Sequence, residues 1–206
     1  MKNSFDLDSR ELLASAAAWR MASLLLERPR PEWKIEISRL AAEVSDPRLA
    51  RCAADAAQAT EECYHRLFGP AGAVSPREVS YCGFEDPGRV ISELSAFYHA
   101  FSFSPRREES IDHICVEASF IGYLFLKEAY ARMRNTWASA TIAKDARERF
   151  VREHLARTVR GIFERPVALP AYLQSILSWF NDRIESDRPP ADASVIAHEP
   201  TGPIGR

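Results

Sequence analysis

The chain has 206 residues, with 27 Lys plus Arg against 29 Asp plus Glu, a formal charge of -2, 46% hydrophobic and 27% charged residues. That is enough apolar material for a real core, and it excludes collagen, disulfide scaffolds, low-complexity proteins and chain-wide disorder. It also speaks against a dedicated nucleic-acid binder, because no net positive charge is available to neutralise phosphates.

The start, Met1 to Asp8, has two acids and no apolar run, so it does not read as a signal peptide. The periodicity predicts a first helix from about Ser9 to Glu27, capped by Asp8 or Ser9, with a stripe through Leu12, Ala16, Trp19, Ser23 and Leu26. Arg28-Pro29-Arg30-Pro31 ends it, and Pro31 opens a second helix through Val44. Ser45-Asp46-Pro47 repeats the device and starts a long helix to about Phe68, stopped by Gly69-Pro70-Ala71-Gly72. Residues 69–86 read as a loop with short turns, and Pro87 opens a helix to about Phe101.

Residues 102–108 read as a linker and a plausible hinge. The next helix is expected over about Glu109 to Asn135. Between Ile114 and Leu126 only Glu117 is charged, which suits a central helix covered by others. A basic helix follows, Ser139 to Glu164, with an interruption expected near Leu155 or Gly161. The last helix is expected from Pro170 to about Glu185, and residues 187–206 read as a disordered tail.

No strand signal, internal repeat or membrane span is visible; the longest apolar run, Ala118 to Leu126, is too short to cross a bilayer. The expected fold is therefore all-α, a single-domain bundle of about seven to ten helices over residues 1–186. Cys52, Cys63, Cys82 and Cys115 form no C-x-x-C pair and have no zinc spacing, so they read as reduced thiols of a cytoplasmic protein. Charge is uneven. Residues 61–117 hold ten acids against five bases, and residues 127–165 hold ten bases against five acids. These are either two solvated faces or an acidic face awaiting a cationic partner.

Enzyme motifs are missing: no G-x-G-x-x-G, no phosphate loop, no H-E-x-x-H and no G-x-S-x-G. The best polar constellation is Asp112-His113-x-x-x-Glu117. Inside a helix, His113 and Glu117 would share a face, with Asp112 near the start. Four readings stay open for it: a metal site short of a third ligand, an acid–base pair, a structural polar knot, and a recognition site for a cationic or hydrogen-bonding peptide.

Four segments, taken together, resemble the TorD/DmsD/NarJ family of redox-enzyme maturation chaperones. They are Tyr64-His65-Arg66-Leu67-Phe68-Gly69-Pro70, Ser75-Pro76-Arg77-Glu78-Val79-Ser80-Tyr81, Ile111-Asp112-His113-Ile114-Cys115-Val116-Glu117-Ala118-Ser119-Phe120-Ile121, and Phe150-Val151-Arg152-Glu153-His154-Leu155. Ile111 stands where the family has Pro, Ala118 where Leu is common, and Arg77 where an aromatic is often found.

The resemblance implies an all-α, TorD-like chaperone and not an enzyme. It implies binding of the twin-arginine signal peptide of an apo-form molybdoenzyme catalytic subunit precursor, holding that subunit until molybdopterin is inserted and delaying export. It places the peptide-binding region on Asp112, His113, Pro76, Arg77 and Tyr81. Glu117, Glu78 and Tyr98 complete the candidate set, as carboxylates and an aromatic of the same acidic stretch. Carboxylates pair with arginine in bidentate geometry, and an apolar segment between charges is a known recognition mode. Tyr81 and Phe84, being on a loop, are the aromatics best placed to bind.

No cofactor, no nucleic acid and no membrane insertion are expected, and the chain is expected as a monomer or a domain-swapped dimer. The alternatives are a helical ligand-sensing transcriptional regulator and a small helical metalloenzyme using His113 and Glu117. Against the first, residues 1–60 balance nine bases with nine acids and give DNA no electrostatic grip.

Overall fold

Proline and short polar caps divide the chain into helices. The computed structural model describes residues 2–105 and 109–186. Among these residues it contains α1 (Lys2–Leu25), α2 (Pro31–Ala41), α3 (Pro47–Ala56), α4 (Glu61–Phe68), α5 (Pro87–Ala100), α6 (Ile114–Met133), α7 (Trp137–Phe150), α8 (Ala156–Phe163) and α9 (Ala171–Ser186). A π turn, Val151–Leu155, joins α7 to α8 in one continuous rod, and a 3₁₀ turn spans Glu78–Tyr81. The described residues form a single all-α bundle without strands.

Pro31, Pro47 and Pro87 each sit in a first helical turn, where the missing N–H costs nothing. Asp46 and Asp86 cap α3 and α5 by accepting from the N–H of Arg48 and Gly88. The helix expected from Pro47 to Phe68 is two helices. Thr60 breaks it by accepting from the Cys63 N–H, a competing cap inside the apolar periodicity. The first helix begins at Lys2 instead of Ser9. Asp8 is not a cap; its carboxylate pairs with Arg132 at 2.9 Å. The expected interruption near Leu155 is the π turn, while Gly161 stays helical.

α6 is the central element, flanked by α1 and α7. Gly122 lets α1 come close: a Cβ there would lie 3.3 Å from the Ala16 carbonyl oxygen and from Trp19 Cβ. Trp19, Trp179 and Phe180 interlock at one end of the core, and Tyr98, Phe120 and Phe150 at the other. α9 is tied to the α3 cap, since Trp179 Nε1 donates to Asp46 at 2.8 Å and Arg183 joins the same carboxylate. Glu128, buried on α6, is held by Arg132 and Arg147.

The four cysteines are free thiols. No helix among the described residues is long and apolar enough to cross a membrane. The expected tail, 187–206, lies outside the described residues, as do 106–108 of the expected hinge.

Candidate functional site

The polar constellation sits where the loop after α4 meets the start of α6. α4 ends at Phe68, and the chain folds back over it. Ala73 and Val74 donate to the carbonyls of Arg66 and Leu67. The reversal requires glycine at 72, where a Cβ would stand 2.4 Å from the Leu67 carbonyl oxygen, and Ala71 takes φ 61°.

The chain then runs extended beside the residues preceding α6. Arg77 and His113 form an isolated antiparallel bridge: Glu78 N–H donates to the Asp112 carbonyl and Ile114 N–H to the Pro76 carbonyl, both at 2.9 Å. Asp112 and His113 are therefore outside the helix, and the expected start at Glu109 is corrected to Ile114. His113 is the N-cap, its Nδ1 accepting from the Cys115 N–H at 3.2 Å. A cap and a helix-face partner use different backbone geometry, so His113 and Glu117 do not form the pair that their spacing suggested.

Two buried networks hold this loop. In the first, the Asp112 carboxylate is fully buried and accepts from Arg77 Nε at 3.0 Å, from Val79 N–H at 3.4 Å and from the Ser110 hydroxyl. His113 Nε2 lies 3.1 Å from Tyr64 Oη and 3.8 Å from Glu109. Burial lowers the His113 pKa to about 4 against a partial opposing effect of Asp112, so the ring is neutral. With Nδ1 accepting, Nε2 carries the proton and donates to Tyr64.

In the second network, Glu78 is fully buried between His154 Nδ1 at 3.0 Å and Arg157 Nη1 at 3.1 Å. Glu117, also fully buried, is hydrogen-bonded by Thr158 at 3.2 Å. Desolvation first, then the neighbouring Glu78, pushes the Glu117 carboxyl well up, in favour of its neutral form. Just past the π turn, α8 presents Arg157 to Glu78 and Thr158 to Glu117. Tyr98 is buried too and donates to the Ile111 carbonyl at 2.9 Å. Tyr81 closes the loop: its hydroxyl donates to the Ser75 carbonyl at 2.6 Å, and its ring lies flat on Gly161.

The eight candidate residues thus divide. Asp112, Glu117, Glu78 and Tyr98 have no side chain at the surface, and each is satisfied from inside. The carboxylates among them are expected to face a ligand; in this structure they are bonded to the loop and to the helices around it. Pro76, Arg77 and His113 border a groove of about 520 Å³, also lined by Tyr64, Phe68 and Glu109. Tyr81 borders a different cavity, between the loop, α5 and α8. The expected acidic cradle is replaced by a groove whose charged rim is Arg28, Arg77 and Glu109. Tyr64 and Phe68 were visible in the Tyr-x-x-Leu-Phe motif, but nothing marked them as walls of the same groove as Pro76. Among the described residues, no three His, Cys, Asp or Glu side chains gather as a metal site.

What these networks define is an all-α protein that spends its buried polar groups on holding one loop beside a groove. Residues 31–163 match the family described as nitrate reductase delta subunit, and the chain belongs to that family, one of redox-enzyme maturation chaperones. The family serves molybdoenzyme assembly and consists of chaperones, not enzymes. All the motif residues from Tyr64 to Leu155 fall inside the match. A search of the curated proteins finds no match.

Proposed function

We propose that the protein is a cytoplasmic chaperone that holds the twin-arginine signal peptide of a molybdopterin-containing oxidoreductase precursor, aids cofactor insertion and delays export until folding is complete. The groove between α4 and the Pro76–Arg77 segment is the proposed seat. The observation that carries the reading is its make-up: an aromatic and proline lining, Tyr64, Phe68 and Pro76, with the Glu109 carboxylate on its rim.

A twin-arginine leader presents two guanidinium groups followed by an apolar stretch. The apolar stretch suits the lining, and a guanidinium suits Glu109. The neutral, inward-bonded His113 adds no charge to oppose it. Asp112 acts indirectly, by fixing Arg77 and the extended wall.

The reading is tested by calorimetric titration of a synthetic twin-arginine leader into the full-length protein. Binding on the order of micromolar is expected, weakening with salt. No binding by the leader, or equal binding by a Lys-Lys and a Gln-Gln version, would overturn it.

A further inference from the structure

The larger cavity, about 770 Å³, lies on the far side of the same loop, between α5, the residues after Tyr81 and the α7–α8 rod. Its lining is far richer in charged side chains than that of the groove. Arg149, Arg152, Arg157 and Arg160 line its helical wall, and Arg165 stands just past the end of α8. Arg149 is paired with Glu153. Among the described residues, no carboxylate lies within ion-pair distance of Arg152, Arg160 or Arg165. Arg152 reaches only the Glu148 carbonyl, and Arg165 lies over the Tyr81 ring.

A second feature is Phe84, whose chain neighbours Gly83 and Glu85 both line the cleft. Gly83, in the left-handed region at φ 61°, turns the chain so that Phe84 projects wholly into solvent. A fully exposed Phe beside a charged cleft suits a macromolecular contact, since aromatic anchors and arginines are the residues that dominate interfaces.

We infer that this cleft docks an acidic segment of a partner polypeptide, with Phe84 packing on an apolar residue next to the acidic run. The arrangement distinguishes this from a compact anion site. From Arg149 to Arg160 the wall runs roughly 16 Å along the helical rod, so the arginines are spaced along it. Glu85, Glu93, Glu153 and Glu164 stand among them, so the positive charge is broken up along the wall and not concentrated for a single polyanion such as phosphate. A polypeptide with spaced single carboxylates meets the arginines one at a time.

The test uses fluorescein-labelled ten-residue peptides that alternate Glu and Ser and contain one Leu, with a Gln-for-Glu version as control. Anisotropy is read against the full-length protein at low salt. The Glu peptide binds and the Gln peptide does not. The double variant Arg152→Gln, Arg160→Gln weakens binding by about tenfold, and Phe84→Ala weakens it less. The double variant Lys127→Gln, Arg134→Gln removes two charges outside the cleft and leaves binding unchanged. Equal binding of the two peptides, equal losses in the two double variants, or displacement by low-millimolar inorganic phosphate would each overturn the inference. No signal peptide is used, so a failure here leaves the groove reading standing.

Discussion

Arg77 Nε and the carboxylate of Asp112 are 3.0 Å apart, with Asp112 fully buried and the Arg77 side chain half exposed. One member belongs to the interior and the other to the groove, so the pair transmits the fixed position of the α6 N-terminus to the groove wall. Asp112→Ala removes the acceptor of Arg77, Val79 N–H and Ser110 at once. Loss of one partner from a buried pair costs about 3–5 kcal/mol. The exposed guanidinium regains water, so about 2–3 kcal/mol is expected here. Urea denaturation measures this, and the leader affinity should fall even where the protein remains folded.

The Tyr81 ring on Gly161 gives a second handle on the same loop. A Cβ at position 161 would lie 2.2 Å from Tyr81 Cδ1, so Gly161→Ala must displace the ring. Overpacking of this kind costs about 1–3 kcal/mol. The double variant Gly161→Ala, Tyr81→Ala should recover part of the loss, because it removes the clash. A thermal-melt double-mutant cycle reads the coupling. Additive losses would show that the ring is not seated there.

Stability should respond to pH through His113. Its pKa is held at about 4 by burial, against 6.5 for the free side chain. Between these values the unfolded chain binds a proton that the folded chain refuses. The stability is fully present above pH 6.5 and is lost as pH falls towards 4, by up to about 3 kcal/mol. Denaturation midpoints across this window should slope upward with pH, and His113→Gln should flatten that slope.

Glu117 gives the opposite sign. Its raised pKa means that the folded chain keeps a proton which the unfolded chain has released. That contribution is fully present below the ordinary carboxylate value of 4.5 and is lost as pH rises through the folded pKa. Glu117→Gln imitates the neutral acid and keeps the Thr158 partner, so at pH 8 it should match or exceed the wild type in stability. Glu117→Ala leaves Thr158 unpaired and a cavity, and should lose about 2 kcal/mol or more. Leader binding by the Gln variant should be unchanged, since the Glu117 side chain is fully buried and does not line the groove.

Much of the architecture is readable in the sequence because it is written in local signals. Pro31, Pro47 and Pro87 mark helix starts by restricting φ, and Asp46 and Asp86 supply caps before the last two. The near absence of charge from Ile114 to Leu126 marks the central helix. The site is less legible because its geometry is non-local. His113 caps α6 instead of extending it, and only the strand-like pairing with Arg77 decides between the two. Glu78 finds His154 and Arg157 across more than seventy residues, a pairing that no spacing rule encodes. The acidic count over residues 61–117 was real, but Glu78, Asp112 and Glu117 are turned inward by these partners, so the count overstated the charge offered to a ligand.

The central claim is that a client leader lies in the groove between α4 and the Pro76–Arg77 segment. The direct measurement is photo-crosslinking with a twin-arginine peptide carrying benzoylphenylalanine in its apolar stretch, followed by mass spectrometry. Crosslinks within Tyr64–Arg77 and Glu109–His113, reduced when Glu109→Gln weakens binding, are the predicted result. Crosslinks confined to the arginine-lined cleft, or to the α6–α7 face around Tyr130 and Ile142, would contradict it.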